Sequence, residues 1–405
     1  MKKGRTLTAG EKLYQEFIRR ELSRRSFLWR SLGAGAALLV AGCGIGDGDS
    51  TPPPDGGPAQ PPAGGGAGIG IPGNPAAPTN PPVVNPPEGN PQCSASGPLV
   101  GISDAASRDE AIESAVALAG GLDFIKPGDT VLLKPNCNSG DLYPYSTHPD
   151  TIRKVVQMLK QRGVGRIVIG DRGCAFSGNA TSKNMTNNGI EAMAKQLGVE
   201  LQTWDNLAAG ELIKVPKSQA PSWDAMMSSG FSYPKILADV DHIINLPSLK
   251  THFLAYYTMG LKNMVGITSA SDRQNNIILH TMPRLADQIA EINATVTSSL
   301  TILDATKAVV QGGPTPTDYP GGIVRDAGYI VASRDRIALD VTGLAILKVI
   351  GSPASAINTH SAWTQPQIAS AVKLKLGISG PEQYNLCGPG VKNLEQIRQK
   401  AMEKA

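Results

Sequence analysis

Three short segments of this 405-residue chain gather the residue types that do chemistry: Lys134-Pro135-Asn136-Cys137, Ser248-Leu249-Lys250-Thr251-His252 and Leu261-Lys262-Asn263-Met264-Val265-Gly266. Asp171-Arg172 with Cys174, Asp304, and the loop Gln311-Gly312-Gly313-Pro314 add carboxylates and glycines. Ammonium groups beside glycine-rich loops suit a carboxylate or a phosphate, held by charge-assisted hydrogen bonds. Lys134, Asn136, Asp171, Lys262, Asn263, Asp304, Gly312 and Gly313 are therefore candidate binding residues for a small anionic ligand. The aspartates could instead orient the lysines or hold a hard divalent cation. Lys250 and His252 lie two apart and share a face if the chain is extended there. They form the candidate catalytic pair, an imidazole near neutrality and a lysine whose pKa burial lowers.

Each residue also has a structural role open to it. Lys250 could cap helix carbonyls, and His252 could satisfy a buried backbone group. Lys262-Asn263 before Gly266 could end a helix. Asp171 and Asp304 could be helix N-caps. Gly312-Gly313-Pro314 lacks a G-x-x-x-x-G-K pattern and reads equally as a turn. Asp340 falls inside a helical pattern, where pairing with a basic side chain is the expectation.

Short apolar runs precede these segments and must position them. Val131–Leu133, Arg166–Gly170, His242–Leu246, Leu300–Leu303 and Tyr329–Ala332 read as strands, most of them ending at a polar residue or proline. Between them lie helical patterns. Ile152, Val155, Val156 and Leu159 recur at helical spacing after Pro149, residues 183–197 read as one helix, and another runs from about Asp335 to Val349. Strand–helix alternation predicts an α/β fold: a mainly parallel, doubly wound, Rossmann-like sheet with helices on both faces. Ligands in such sheets bind beyond the carboxyl ends of the strands, so the polar segments should share one rim.

The N-terminal region is of a different kind. Ser23-Arg24-Arg25-Ser26-Phe27-Leu28 follows the twin-arginine export pattern, and an uncharged run from Ser31 to Gly42 follows it. That run is too short to span a bilayer but fits a signal-peptide core. It ends Val40-Ala41-Gly42-Cys43, which resembles a lipobox, so Cys43 is the expected lipidation site. Residues 1–42 are then a signal peptide handled by the twin-arginine translocase. Residues 43–98 are a lipid-anchored Pro/Gly-rich linker, and residues 99–405 form one α/β domain. Residues 44–98 hold 15 of the 31 prolines, a composition that cannot bury enough apolar surface to fold alone. The expected location is beyond the cytoplasmic membrane, on the periplasmic or cell-surface side, anchored to a membrane through one lipidated cysteine.

Charge and cysteine content narrow the partners. The chain carries 38 basic and 34 acidic residues, a net +4. Nine basic and three acidic residues precede Cys43, so the mature chain carries 29 and 31, a net −2. That excludes a nucleic-acid-coating protein, which is strongly basic. Besides Cys43, Cys93, Cys137, Cys174 and Cys387 are present. An even number outside the cytoplasm permits two disulfides in three connectivities. Cys137 and Cys174 follow neighbouring strands and could pair, which would leave Cys93 to join Cys387. With His252 they could also form a soft metal site. No metal ligands are assigned, and the cofactor stays open, a metal being one alternative.

Taken in order, Lys134-Pro135-Asn136, the segment Asn245 to His252, Leu261 to Gly266, and the segment from Asp304 through Gly312-Gly313-Pro314 to Asp340 resemble the signature motifs of domain-of-unknown-function family 362. The resemblance covers roughly residues 99–350. It implies family positions at Lys134, Asn136, Lys250, His252, Lys262, Asn263, Asp304 and Asp340, without an established activity. Some members carry ferredoxin-like cysteine modules, which implies redox surroundings, but this chain has no C-x-x-C-x-x-C run. Three readings follow: an exported, tethered protein binding a small anion; an accessory to a redox system with a metal or iron–sulfur link; or an acid–base enzyme acting on a carboxylate or phosphate through Lys250 and His252.

Overall fold

In the computed structural model, described residues are 93, 99–174, 180–225, 228–269, 272, 284–316 and 322–404. All lie in the second of two compact units, Ala77–Ala405. The expected signal peptide (residues 1–42), Cys43 and the Pro/Gly-rich segment apart from Cys93 fall outside the described residues.

The strands in chain order are β1 (Leu99–Ser103), β2 (Thr130–Pro135), β3 (Arg166–Asp171), β4 (Glu200–Thr203), β5 (Leu212–Val215), β6 (Asp224–Ala225), β7 (Ser228–Ser229), β8 (Phe231–Pro234), β9 (His242–Leu246), β10 (Ser248–His252), β11 (Tyr256–Thr258), β12 (Leu300–Gln311), β13 (Ile323–Ser333) and β14 (Asn385–Cys387). The main sheet runs β14-β1-β13-β12-β9-β2-β3-β4, with β10 pairing both β12 and β11; β5 pairs β8 and β6 pairs β7. Strands β12, β9, β2, β3 and β4 are parallel neighbours. β13 runs against both β1 and β12, and β11 runs against β10. The expected mainly parallel α/β sheet is present, with antiparallel pairing at β13 and β11.

Both faces of the sheet are apolar because successive side chains point to opposite sides. In β2, Val131 and Leu133 join one buried layer and Leu132 the other; in β3, Ile167 and Ile169 are separated from Val168 in the same way. Helices α1 (Arg108–Leu118) and α2 (Pro149–Gln161) cover the first layer through Ile112, Ile152, Val155, Val156 and Leu159. A four-residue helix α3 (Gly260–Asn263), helix α4 (Leu285–Thr295) and helix α5 (Arg336–Val349) cover the second through Leu261, Ile289, Leu339 and Leu344.

Four sequence expectations about elements change. The helix expected over 183–197 is two helices, Thr181–Asn187 and Ile190–Leu197, broken where Gly189 takes a φ of 84°. Lys250 and His252 lie on a strand of their own, β10, rather than in a loop after β9. The strand expected to end at Leu303 continues to Gln311, so Asp304 is internal to β12. It caps no helix. Cys137 and Cys174 are not joined; the disulfide is Cys93–Cys387, with Cα atoms 4.9 Å apart. It ties the segment before β1 to β14, the parallel neighbour of β1.

Candidate functional site

β2 and β3 lie side by side in parallel and end together, so Lys134, Asn136, Asn138, Asp171 and Arg172 meet at one rim. The hairpin β10–β11 brings Lys250, His252 and Thr258, and α3 with the turn after it brings Lys262, Asn263, Val265 and Gly266. Together with Pro314 these residues line one crevice, about 350 Å3 of empty space counting its mouth. Seven of the ten predicted site residues meet here: Lys134, Asn136, Asp171, Lys250, His252, Lys262 and Asn263. The described lining carries four cationic side chains (Lys134, Arg172, Lys250 and Lys262) and one carboxylate, Asp171.

The carboxylate is tied inward. Lys134 Nζ lies 2.6 Å from Asp171 Oδ1, and both side chains are almost wholly buried. Asp171 also accepts from the backbone N–H groups of Cys137 (2.8 Å) and Arg172 (2.7 Å). This pair needs Gly266 beside it, because a Cβ there would stand 2.2 Å from Asp171 Oδ1 and 2.6 Å from Lys134 Nζ. Arg172 is flanked by Asp205 at 3.7 Å, and burial pulls its guanidinium below its ordinary pKa.

Lys250 is fully buried and donates to Asn136 Oδ1 at 2.5 Å and to the Tyr145 carbonyl. From Asn136 a chain of amides runs away from the lysine. Asn136 Nδ2 donates to Asn263 Oδ1 (2.7 Å), Asn263 Nδ2 to Asn245 Oδ1 (2.7 Å), and Asn245 Nδ2 to the Gly260 carbonyl (2.8 Å). An ammonium only donates and a carbonyl only accepts, so the two ends fix the direction of all three amides. A network satisfied end to end in this way holds its members rigidly.

His252 turns one ring nitrogen to the backbone. Its Nδ1 accepts from the backbone N–H groups of Leu254 (3.1 Å) and Ala255 (3.3 Å), which places the proton of the neutral ring on Nε2. Part of the structural role open to it in the sequence is thus realised.

Three predicted binding residues are not in the crevice. Asp304 is buried in β12 and accepts from Arg108 Nε (3.1 Å), the Tyr143 hydroxyl (2.7 Å) and the Thr151 hydroxyl (2.6 Å), so it binds α1 and α2 to the sheet. Gly312 and Gly313 belong to a turn packed on β10. The Gly313 carbonyl accepts from Phe253 N–H at 3.1 Å, and a Cβ on Gly313 would stand 2.0 Å from the Thr251 carbonyl. Asp340 pairs with no basic side chain in the way expected. Its carboxylate accepts from the N–H groups of Gly260 (2.7 Å) and Leu261 (3.1 Å).

Sequence reasoning passed over Arg172, Asn138, Thr258 and Pro314 as site residues. Arg172 carried a signal, a cation directly after a strand end. Thr258 carried none, since it reaches the crevice through the pairing of β11 with β10. The soft metal set fares poorly: among the described residues no three His, Cys, Asp or Glu side chains converge to hold a metal. Cys137 is buried beside Asn188 Nδ2 (3.3 Å), and burial pushes its thiol up to about 12.

Comparison with known proteins adds a family. The chain is 27% identical over 236 residues to the Thylakoid-associated protein sll1697 of Synechocystis sp., a match covering 57% of this chain and 67% of that protein. Among solved structures it is similar to the lactate racemase apoprotein from Thermoanaerobacterium thermosaccharolyticum (12% identity, TM-score 0.34, 56% of this chain and 53% of that one). It is also similar to a protein from Thermotoga maritima (13% identity, TM-score 0.32, 48% of this chain and 49% of that one). The chain spans about half the length of these solved structures. The model of the family described as Domain of unknown function (DUF362) matches residues 131–345, which include every residue of the crevice, and the chain belongs to that family.

Proposed function

We propose that this protein binds a small oxyanion, a carboxylate or a phosphate, in the crevice at the ends of β2 and β3. The observation that carries this reading is the lining itself, four cationic side chains and one carboxylate around about 350 Å3. The enclosed part of that space, about 40 Å3, is room for only a few waters, which suits a molecule of few heavy atoms. Buried ammonium and guanidinium groups with fixed partners are arranged in advance for an anion and need little reordering to bind it. Calorimetric titration with phosphate, sulfate and oxalate tests the reading. Binding of at least one should weaken about tenfold or more on Lys262→Ala, the loss of roughly one charge-assisted hydrogen bond. If none of the three binds the wild-type protein, the reading fails.

The acid–base reading is narrower. Lys250 and His252 do line the same crevice. With Nδ1 engaged by two backbone N–H groups, a neutral His252 acts as a donor through Nε2, so it would serve as an acid rather than a base.

We place the protein outside the cytoplasm, carried by the twin-arginine translocase and tethered through Cys43. The Ser23–Leu28 pattern and the run before Cys43 support this, and the Cys93–Cys387 disulfide suits an oxidising compartment. Cell fractionation checks it: wild-type protein should pellet with membranes and Cys43→Ala should be soluble. Equal partition of the two would remove the tether.

A further inference from the structure

The helix that presents Lys262 and Asn263 to the crevice is only four residues long, Gly260–Asn263. So short a helix has almost no hydrogen bonds of its own, and its shape must come from what grips it. Its grips are all buried side chains. Asn245 Nδ2 donates to the Gly260 carbonyl and Asn293 Nδ2 to the Leu261 carbonyl, at 2.8 and 2.9 Å. Asn293 is held in turn, because Arg336 Nη1 donates to its carbonyl at 2.5 Å. The first two N–H groups, of Gly260 and Leu261, both end on the Asp340 carboxylate. Gly260 has no Cβ to spare there, since one would stand 2.9 Å from Asp340 Oδ1.

We infer that Asp340 is the positioning residue of the crevice, its ionised carboxylate holding the start of the helix so that Lys262 and Asn263 face a bound anion. The inference rests on the anion-binding reading and adds to it a dependence on pH. Asp340 touches no lining residue's charged end; it acts through the two N–H groups. The ionised form accepts both. The protonated form turns one oxygen into a donor facing an N–H, so one grip is lost.

The groups around Asp340 leave it as the element that titrates. Tyr257 on β11 is the titratable side chain that faces it, and burial holds that phenol well above its ordinary value, so it stays neutral. Gly260 and Leu261 on α3 and Thr301 on β12 present no charge. Arg336, one turn earlier on the same helix, is directed to Asn293. Burial lifts Asp340 to about 7, partly offset by the two N–H groups and the Tyr257 hydroxyl.

Sulfate is the probe, because its charge is constant across the range used. Its affinity for the full chain should fall about tenfold on going from pH 8.5 to 5.5, as the helix start loosens. This sign is opposite to that of simple attraction, in which acidification adds positive charge to histidine and anion binding tightens. Asp340→Asn should bind sulfate weakly at every pH and should not weaken further on acidification, while Lys262→Ala is weak for lack of the cation. Wild-type affinity that is flat or rises on acidification overturns the inference while leaving the anion site standing; this measurement needs no variant to fold. No sulfate, phosphate or oxalate binding at any pH overturns the anion site and this inference with it.

Discussion

Residue identity alone did not separate ligand-facing carboxylates from structural ones. Asp171 and Asp304 both follow apolar runs and both are buried, yet only Asp171 lines the crevice. The difference is what reaches each. Asp304 receives Arg108 from α1, Thr151 from α2 and the Tyr143 hydroxyl, and Thr306 donates to it through both its N–H and its hydroxyl. Burial and the adjacent Asp304 hold Tyr143 well above its ordinary pKa, so it remains a donor. Asp304→Ala strips an acceptor from Arg108, Tyr143, Thr151 and Thr306 at once, and Arg108 is only 19% exposed. The expected cost is about 3 kcal/mol of folding stability, since truncating one partner of a buried ion pair leaves the other under-solvated. Sulfate affinity should be unchanged. Denaturant unfolding together with sulfate titration checks both halves, and a variant that loses affinity at full stability would return Asp304 to the binding site.

At the scale of elements, what the sequence made legible followed from periodicity. The alternation in Val131-Leu132-Leu133 feeds two opposed apolar layers, and Ile152, Val155, Val156 and Leu159 form one helical stripe, so β2, β3 and α2 lie where their patterns put them. The rim of the parallel strands then brings Lys134, Asn136 and Asp171 together as expected. What pattern could not carry were contacts between segments far apart in the chain. β11 reaches the crevice through its pairing with β10, and Asp340 grips a helix start 80 residues before it. The amide chain Asn136–Asn263–Asn245 joins three segments whose asparagines look unrelated in sequence. A residue in an amphipathic helix reads as paired with a nearby base by spacing alone; only the packing of α5 against α3 shows Asp340 meeting bare N–H groups instead. The Gly312-Gly313 turn misled for the opposite reason. Gly313 is required by close approach to the Thr251 carbonyl and Gly312 by its φ of 80°, and no ligand is needed to explain them.

The molecule as a whole has a sheet covered on both faces, and its cost is a set of carboxyl groups sealed inside. Burial raises Asp272, Glu291, Asp335 and Asp340 above their ordinary values. For a raised acid the sign is fixed by linkage. The folded state binds more protons than the unfolded chain between the two pKa values, so stability is fully present below the unfolded value and is lost as pH rises through the folded one. For Asp340 that window runs from 3.8 to about 7. Removing its titration in Asp340→Asn leaves a variant without this slope. The unfolding free energy of wild type minus that of Asp340→Asn should therefore be largest near pH 4 and should shrink steadily towards pH 7. Above that it should be constant, with a total change on the order of 4 kcal/mol. Calorimetric scans across that range decide it, and a constant difference would mean that Asp340 ionises as freely in the fold as in the unfolded chain. The same ionisation that holds the helix start for an anion would then be a burden on the fold above neutrality. On the proposed reading, a group that costs stability at this buried position contributes instead to the crevice, whose Lys262 follows directly on the Leu261 N–H that Asp340 holds.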